Sequence, residues 1–178
     1  MIEAIQVHRK LLQKWRKAMD LVGPGSIEPH FEDSIGAVAD LHATGNWIDL
    51  GSGAGFPGIA LAAYWPNAQV FCVESRHKRA VFLRRVIAEA KLTNITVLQC
   101  RSEQITEKFS GIISRAYKPP LEYLQDAAQL SLPNARTILL LGEHSRPELP
   151  PIWKNIEEHT YKVNNGYRKR WVLQLLSQ

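Results

Sequence analysis

Residues 46–58 read Asn-Trp-Ile-Asp-Leu-Gly-Ser-Gly-Ala-Gly-Phe-Pro-Gly, and residues 71–75 read Phe-Cys-Val-Glu-Ser. Trp47, Ile48 and Leu50 form a short apolar run of the kind that fits a buried parallel strand. Gly51, Gly53 and Gly55 remove Cβ atoms where the chain must turn sharply and a ligand must approach the backbone. Pro57 suits the first turn of a following helix, where its missing N–H costs nothing. Glu74 lies 23 residues after Gly51, the place for a carboxylate that grips both ribose hydroxyls. A glycine-rich turn alone would say little. With the spaced acid it points to an adenosine-containing cofactor.

Two cofactor chemistries compete. A dinucleotide fingerprint, G-x-G-x-x-G/A, holds a pyrophosphate at the helix N-terminus. Here the glycines read G-x-G-x-G-x-x-G, with Asp49 two residues before the first. A carboxylate so close would repel a pyrophosphate but suits a ligand with a cationic amine and sulfonium, such as S-adenosylmethionine. The D-x-G-S/T-G-x-G pattern resembles the first motif of the class I methyltransferases. A phosphate-binding loop is excluded, because residues 51–58 lack its lysine. A glycine-rich turn with no ligand remains the bland alternative.

The chain has 178 residues, 45% of them apolar and 22% charged, which fits a single soluble domain with a sizeable core. Neither a membrane-length apolar run nor a signal-peptide core is evident, so a cytoplasmic location is expected. Cys72 and Cys100 read as small hydrophobes inside or at the end of strands. The six histidines are scattered and no metal site is expected. The net charge of +5 collects at Arg9–Lys17, Arg76–Arg85 and Arg168–Arg170. Each cluster reads either as a solvated face or as a contact for nucleic acid.

The first segment carries Ile2, Ile5, Leu12, Trp15 and Met19 at helical spacing, an amphipathic helix ending near Gly23-Pro24-Gly25. A second helix is expected over 28–41. Strands follow at 47–50, 69–73, 95–98, 110–114 and 136–141, alternating with helices at 56–63, 77–90 and 121–129. This order implies a parallel sheet covered on both faces. One more helix is expected at 152–158. Two last strands, 159–163 and 171–176, would be joined at Asn164-Asn165-Gly166. The expected fold class is therefore α/β, with seven strands, mostly parallel, closed by an antiparallel C-terminal hairpin; this resembles the Rossmann-like architecture of the class I methyltransferases. Residues 1–45 read as a helical cap and 46–178 as the core of one domain.

Several stretches together resemble one family, the bacterial glucose-inhibited-division B methyltransferases, which modify guanine N7 in 16S rRNA. They are Lys14-Trp15, His30-Phe31-Glu32-Asp33-Ser34-Ile35, Asp49 through Ile59, Glu74-Ser75, Lys78-Arg79, Phe82-Leu83, Arg101-Ser102-Glu103 and Ser114-Arg115-Ala116. The resemblance implies S-adenosylmethionine as cofactor and 16S rRNA or the small ribosomal subunit as partner; a monomer is expected. It implies that Gly51 and Phe56 line the methionine end of the cofactor, with Asp49, Ser52 and Gly53 completing that turn. Glu74, joined by Ser75, binds the ribose, and Ser102 and Glu103 flank the adenine. Arg115, the catalytic candidate, lies near the methyl group and the target base. His30 and Asp33 lie one helical turn apart and, with Lys118, are expected to face the substrate.

Each assignment has a plainer reading. Phe56 could be a core residue, Glu103 a solvated acid, Arg115 a surface cation, and His30 with Asp33 a local capping contact. Three departures from the family pattern stand out: the chain starts almost at the Lys14-Trp15 helix, where the family carries a longer segment; Asp20-Leu21-Val22 stands for its Asn-Leu-Thr and Pro29 for an arginine; and Leu141 stands for a lysine. A related enzyme with another substrate, or a non-catalytic cofactor- or RNA-binding module, therefore stays open. Lys118-Pro119-Pro120-Leu121 sits where amino-methyltransferases carry [D/N/S]-P-P-aromatic. It lacks both the carbonyl donor and the stacking ring, so the prolines read as the start of the next helix.

Overall fold

The computed structural model describes residues 2–176. Two helices, α1 (Ile2–Trp15) and α2 (Glu28–Val38), precede β1 (Gly45–Leu50). The chain then alternates through α3 (Gly58–Tyr64), β2 (Ala68–Val73), α4 (His77–Glu89), β3 (Ile95–Leu98), β4 (Phe109–Ile113) and α5 (Pro120–Leu130). It closes with β5 (Ser131–Gly142), β6 (Trp153–Val163) and β7 (Gly166–Leu175). All seven strands form one sheet in the order β3-β2-β1-β4-β5-β7-β6. The first five run parallel, and β7 pairs antiparallel with both β5 and β6. This is the expected class I methyltransferase architecture.

The expected helix at 152–158 is not there; those residues lie in or beside β6. Lys154, Glu157 and Glu158 are good helix formers, but β7 offers a long partner, and the ladder runs from Trp153↔Leu175 to Val163↔Gly166. Tertiary pairing overrides the local preference. Trp153 and Tyr161 are buried by it. The shift of register between Asn155 and Glu157 breaks the alternation that would have marked a strand in the sequence. Similarly, α3 starts at Gly58 rather than at Phe56, with Pro57 as its N-cap.

The sheet is buried on both faces. On one side α1, α2, α3 and α4 pack Leu12, Phe31, Ile59 and Phe82 against Trp47 and Val70. On the other, α5 packs Tyr123 and Leu124 against Ile48 and Ile112. Gly111 is required opposite Trp47, because a Cβ there would stand 2.2 Å from the indole.

The cluster at 168–170 is not a basic face. Arg170 is fully buried and ion-paired with Asp40 at the end of α2 and with Glu157 on β6. Lys169 is 9% exposed and lies 4.0 Å from Glu158, so of the three only Arg168 faces solvent. These pairs fasten α2 to the C-terminal hairpin, and that contact shapes the site.

Candidate active site

The carboxyl ends of β1, β2, β3 and β4 converge, as the parallel order requires. The strand ends are held in step. Ser52 N donates to Val73 O at 2.9 Å, Glu74 N to Leu98 O at 3.1 Å, and Ser114 Oγ to Leu50 O at 2.8 Å. Two cavities open here and share Gly51 as a common wall.

The first cavity, about 410 Å³, is lined by Glu74, Ser75, Ser102, Glu103, Tyr117 and Lys118, among others. Glu74 is 5% exposed. One of its oxygens accepts from Gly53 N at 3.0 Å and the other from Arg76 N at 2.7 Å. Both bonds orient the carboxylate and tie the glycine turn to the end of β2. Ser102 lies on a short 3-10 turn, Ser102–Gln104, and its hydroxyl bonds the Tyr117 hydroxyl. Tyr117 also donates to Asp126 at 3.0 Å, and Lys118 reaches Asp126 at 2.7 Å and Glu103 at 3.4 Å. Lys118 is thus engaged with acids at the rim of this cavity.

The second cavity, about 240 Å³, is lined by the turn residues Gly51, Ser52, Gly53, Ala54 and Phe56, with His30, Arg79, Arg115 and the 21–23 segment. Phe56 is 3% exposed, so it is a core residue and a cavity wall at once. The Arg115 guanidinium lies 4.7 Å from the Phe56 ring centroid, and the His30 ring is 5.6 Å from the same centroid. Arg115 Nη1 stands 3.4 Å from Asp33 Oδ2 and 3.5 Å from His30 O. Its side chain is only 19% exposed. Burial pulls its pKa below the ordinary guanidinium value, and Asp33 opposes that pull. Tyr161, from β6, donates its hydroxyl to the other oxygen of Asp33 at 3.0 Å.

His30, Asp33, Phe56 and Arg115 therefore meet in one place. Ser52 and Asp49 are set differently. Ser52 is 2% exposed and its hydroxyl donates to Asp49 O at 2.9 Å, so it meets the cavity beside the turn rather than offering it a free hydroxyl. Asp49 is fully buried beneath the turn and lines neither cavity. Its Oδ2 accepts from Gly58 N at 3.0 Å, and its Oδ1 has no partner. The carboxylate at position 49 thus supports the turn from beneath and does not reach either cavity.

Burial raises the Asp49 pKa to about 7 and lowers that of His8 to about 4. His8, on α1, is packed between Phe31 and Phe56, with Nε2 2.7 Å from Ala54 O. A raised carboxylate pKa means that the native state holds the proton more tightly. Stability from Asp49 is therefore lost as pH climbs from the ordinary carboxylate range to about 7. A depressed imidazole pKa has the opposite sign, and stability from His8 is lost as pH falls from about 6.5 to about 4. The two slopes oppose each other. In a His8→Gln protein the Asp49 slope is left uncompensated. Its melting temperature should therefore fall more between pH 5 and pH 7 than the parent's does. Parallel slopes in the two proteins would refute this.

Three features of the site carried little or no signal in the sequence. Tyr117 follows the Ser-Arg-Ala stretch directly and could have been found as its continuation. Arg79 was legible as one of a basic run and as part of the Lys78-Arg79 stretch of the family resemblance, without a role. Tyr161 reaches Asp33 across 128 positions, and nothing local announces it.

Residues 1–167 match the family GidB, rRNA small subunit methyltransferase G. The chain belongs to this family. It is 34% identical over 174 residues to the ribosomal RNA small subunit methyltransferase G of Pseudomonas fluorescens strain Pf0-1, covering 93% of this chain and 81% of that protein. Its identity to the protein of the same name from Idiomarina loihiensis is 36% over 145 residues, 78% of this chain and 70% of the relative. Solved structures agree on the fold. A putative O-methyltransferase from Klebsiella pneumoniae superposes with a TM-score of 0.67 at 16% identity, covering 96% of this chain and 90% of that one. TrmN from Thermus thermophilus gives 0.63 at 21%, over 90% of this chain and 53% of that one. The three departures from the family pattern thus occur within a genuine member. Among the described residues no helix is long and apolar enough to cross a membrane, and no group of three His, Cys, Asp or Glu could hold a metal.

Proposed function

We propose that this protein transfers the methyl group of S-adenosylmethionine to guanine N7 of 16S rRNA, in the cytoplasm where that RNA is assembled into subunits. The observation that carries the reading is the pair of cavities meeting at Gly51, with the carboxylate of Glu74 in one and the Arg115 cluster in the other. A ligand with a ribose at one end and an amino-acid arm at the other matches that sequence of groups. Gly53 leaves the backbone open on the second-cavity side, with nothing nearer than 3.8 Å to a Cβ there, while the Tyr117 ring packs against Gly51, where a Cβ would stand 2.7 Å from it.

When bound, the cofactor supplies an electrophilic methyl on a sulfonium. Guanine N7 offers a lone pair and carries no proton, so the protein needs no general base. Its residues have a positioning task. Holding reactants in line contributes up to roughly 7–11 kcal/mol in well-oriented systems. Arg115, planar and fixed over Phe56, suits guanine O6 or a phosphate oxygen as a bidentate donor. Asp33 fixes Arg115 and partly offsets its charge, which matters because the methylated base is cationic.

Tyr161 should contribute to this positioning. Tyr161→Phe keeps the ring packed on Gly36 but frees one Asp33 oxygen. It should lower kcat about tenfold, the scale of one hydrogen bond to a charged group, with little change in cofactor affinity. In an Arg115→Ala background the same change should have no further effect. An additive loss would separate Tyr161 from Arg115.

The direct test incubates the purified protein with methyl-labelled S-adenosylmethionine and either 16S rRNA or small subunits. Label at N7-methylguanine, located by chemical strand scission, is the expected result. Label on another atom would overturn the proposed target. Selective titration of S-adenosylmethionine over NAD⁺ should accompany it. Binding of neither would reduce the turn to a structural element.

A further inference from the structure

The second cavity is lined by two guanidinium groups, Arg79 and Arg115, and by no carboxylate. The charge of Arg115 is met by Asp33 at 3.4 Å. Arg79 differs. Its Nη2 donates to the backbone oxygen of Asp20 at 2.9 Å, and among the described residues no acid pairs with it. The Asp20 carboxylate lies instead 4.0 Å from Arg76. Arg79 Nη1 lies 3.8 Å from the point where a Cβ on Gly53 would stand. An uncompensated guanidinium therefore flanks the open face of the glycine turn, in a cavity that lacks an anion.

We infer that Arg79 binds the α-carboxylate of the cofactor's amino-acid arm. The inference rests on the S-adenosylmethionine reading. If the adenosine occupies the first cavity, with its ribose at Glu74, the rest of the ligand must cross Gly51 into the second. The arm carries one carboxylate, and Arg79 is the cation there without a counter-charge. Charge-assisted hydrogen bonds to a carboxylate are among the strong ones. Because Arg79 also holds Asp20 O, the contact would couple the arm to the 21–23 segment that walls the same cavity. The arginine lies on the first turn of α4, three residues after Arg76 and five after Glu74, so one β2–α4 junction would supply both the ribose acid and the carboxylate clamp.

The same guanidinium chemistry would suit an RNA phosphate, and the test separates the two. S-adenosylhomocysteine and 5′-methylthioadenosine are both neutral thioethers of adenosine, and only the former carries the amino-acid arm. Calorimetric titration of the parent should show tighter binding of the former. Arg79→Gln should weaken S-adenosylhomocysteine tenfold or more, about 1.4 kcal/mol, and leave methylthioadenosine within twofold, which also shows that the variant is folded. Arg79→Lys should recover part of the loss. Equal loss for both ligands would overturn the inference. So would unchanged S-adenosylhomocysteine binding, and weakened RNA binding in that case would assign Arg79 to a phosphate. If the parent itself binds neither ligand, the cofactor reading fails and not merely the arginine.

Discussion

Replacing Arg115 by alanine should lower kcat/KM for rRNA methylation by about a hundred- to a thousandfold, the usual scale for losing one preorganised donor at a reacting group. The magnitude follows from how thoroughly the side chain is fixed. Its guanidinium lies over Phe56, beside Asp33 and His30 O, with 19% of the side chain exposed. A group so constrained has little freedom left to lose when substrate arrives, so its contribution appears in the reaction rather than in ground-state ordering. Removing it also leaves the Asp33 carboxylate, 15% exposed, with Tyr161 as its remaining partner. That uncompensated charge would stand behind the cavity where the base is proposed to sit. Arg115→Lys keeps the charge but loses the planar fork and the stacking, and should recover at most a tenth of the parent rate. Initial rates over a range of both substrates separate the effect on kcat from that on cofactor affinity, which should change far less. A parent-like rate in the alanine variant would remove Arg115 from the mechanism.

What the sequence revealed and what it hid divide along contact distance. The β1 turn and Glu74 were legible because each is a local pattern, and the Ser-Arg-Ala end of β4 through its resemblance to the family. A parallel sheet brings those strand ends together without further instruction. The helix from His77 was legible for the same reason, its apolar face repeating through Phe82, Leu83 and Val86. The C-terminal hairpin was legible only in part. Its turn at Asn164-Asn165, its last strand and the 159–163 half of β6 were visible, whereas the first half of β6 was read as a helix over Ile152–Glu158, since its pairing with β7 is bulged and most of its side chains face water. Arg170 misled in the same way. A basic triplet reads as a solvent face until Asp40, 130 positions away, and Glu157 are folded onto it. Asp49 shows the converse. Its position in the motif was evident, but only the fold shows the carboxylate turned inward to Gly58 N rather than toward a ligand.

The turn that opened the sequence allows one further separation, because its glycines are needed for different reasons. Gly53 has φ +56, and a Cβ there would find nothing nearer than 3.8 Å. Gly53→Leu should therefore fold, at a cost of about 1–2 kcal/mol for placing a side chain in the left-handed region. In a chain of this size that amounts to several degrees of melting temperature. Its side chain, however, would enter the second cavity beside Arg79, where the amino-acid arm is proposed to lie. Affinity for S-adenosylmethionine should fall at least about a hundredfold, close to 3 kcal/mol. Gly55 presents the opposite case. A Cβ at Gly55 would stand 2.3 Å from Ile59 Cδ1 and 3.0 Å from Leu83 Cδ2, both side chains fully buried. Overpacking of that kind costs about 1–3 kcal/mol before the backbone term is added. Gly55→Ala should lose more stability than Gly53→Leu, yet its folded fraction should still bind cofactor. Paired melting and titration curves on the two variants read both effects. If Gly53→Leu binds S-adenosylmethionine normally, the ligand does not cross this turn, and the non-catalytic reading of the chain gains the ground that the enzyme reading loses.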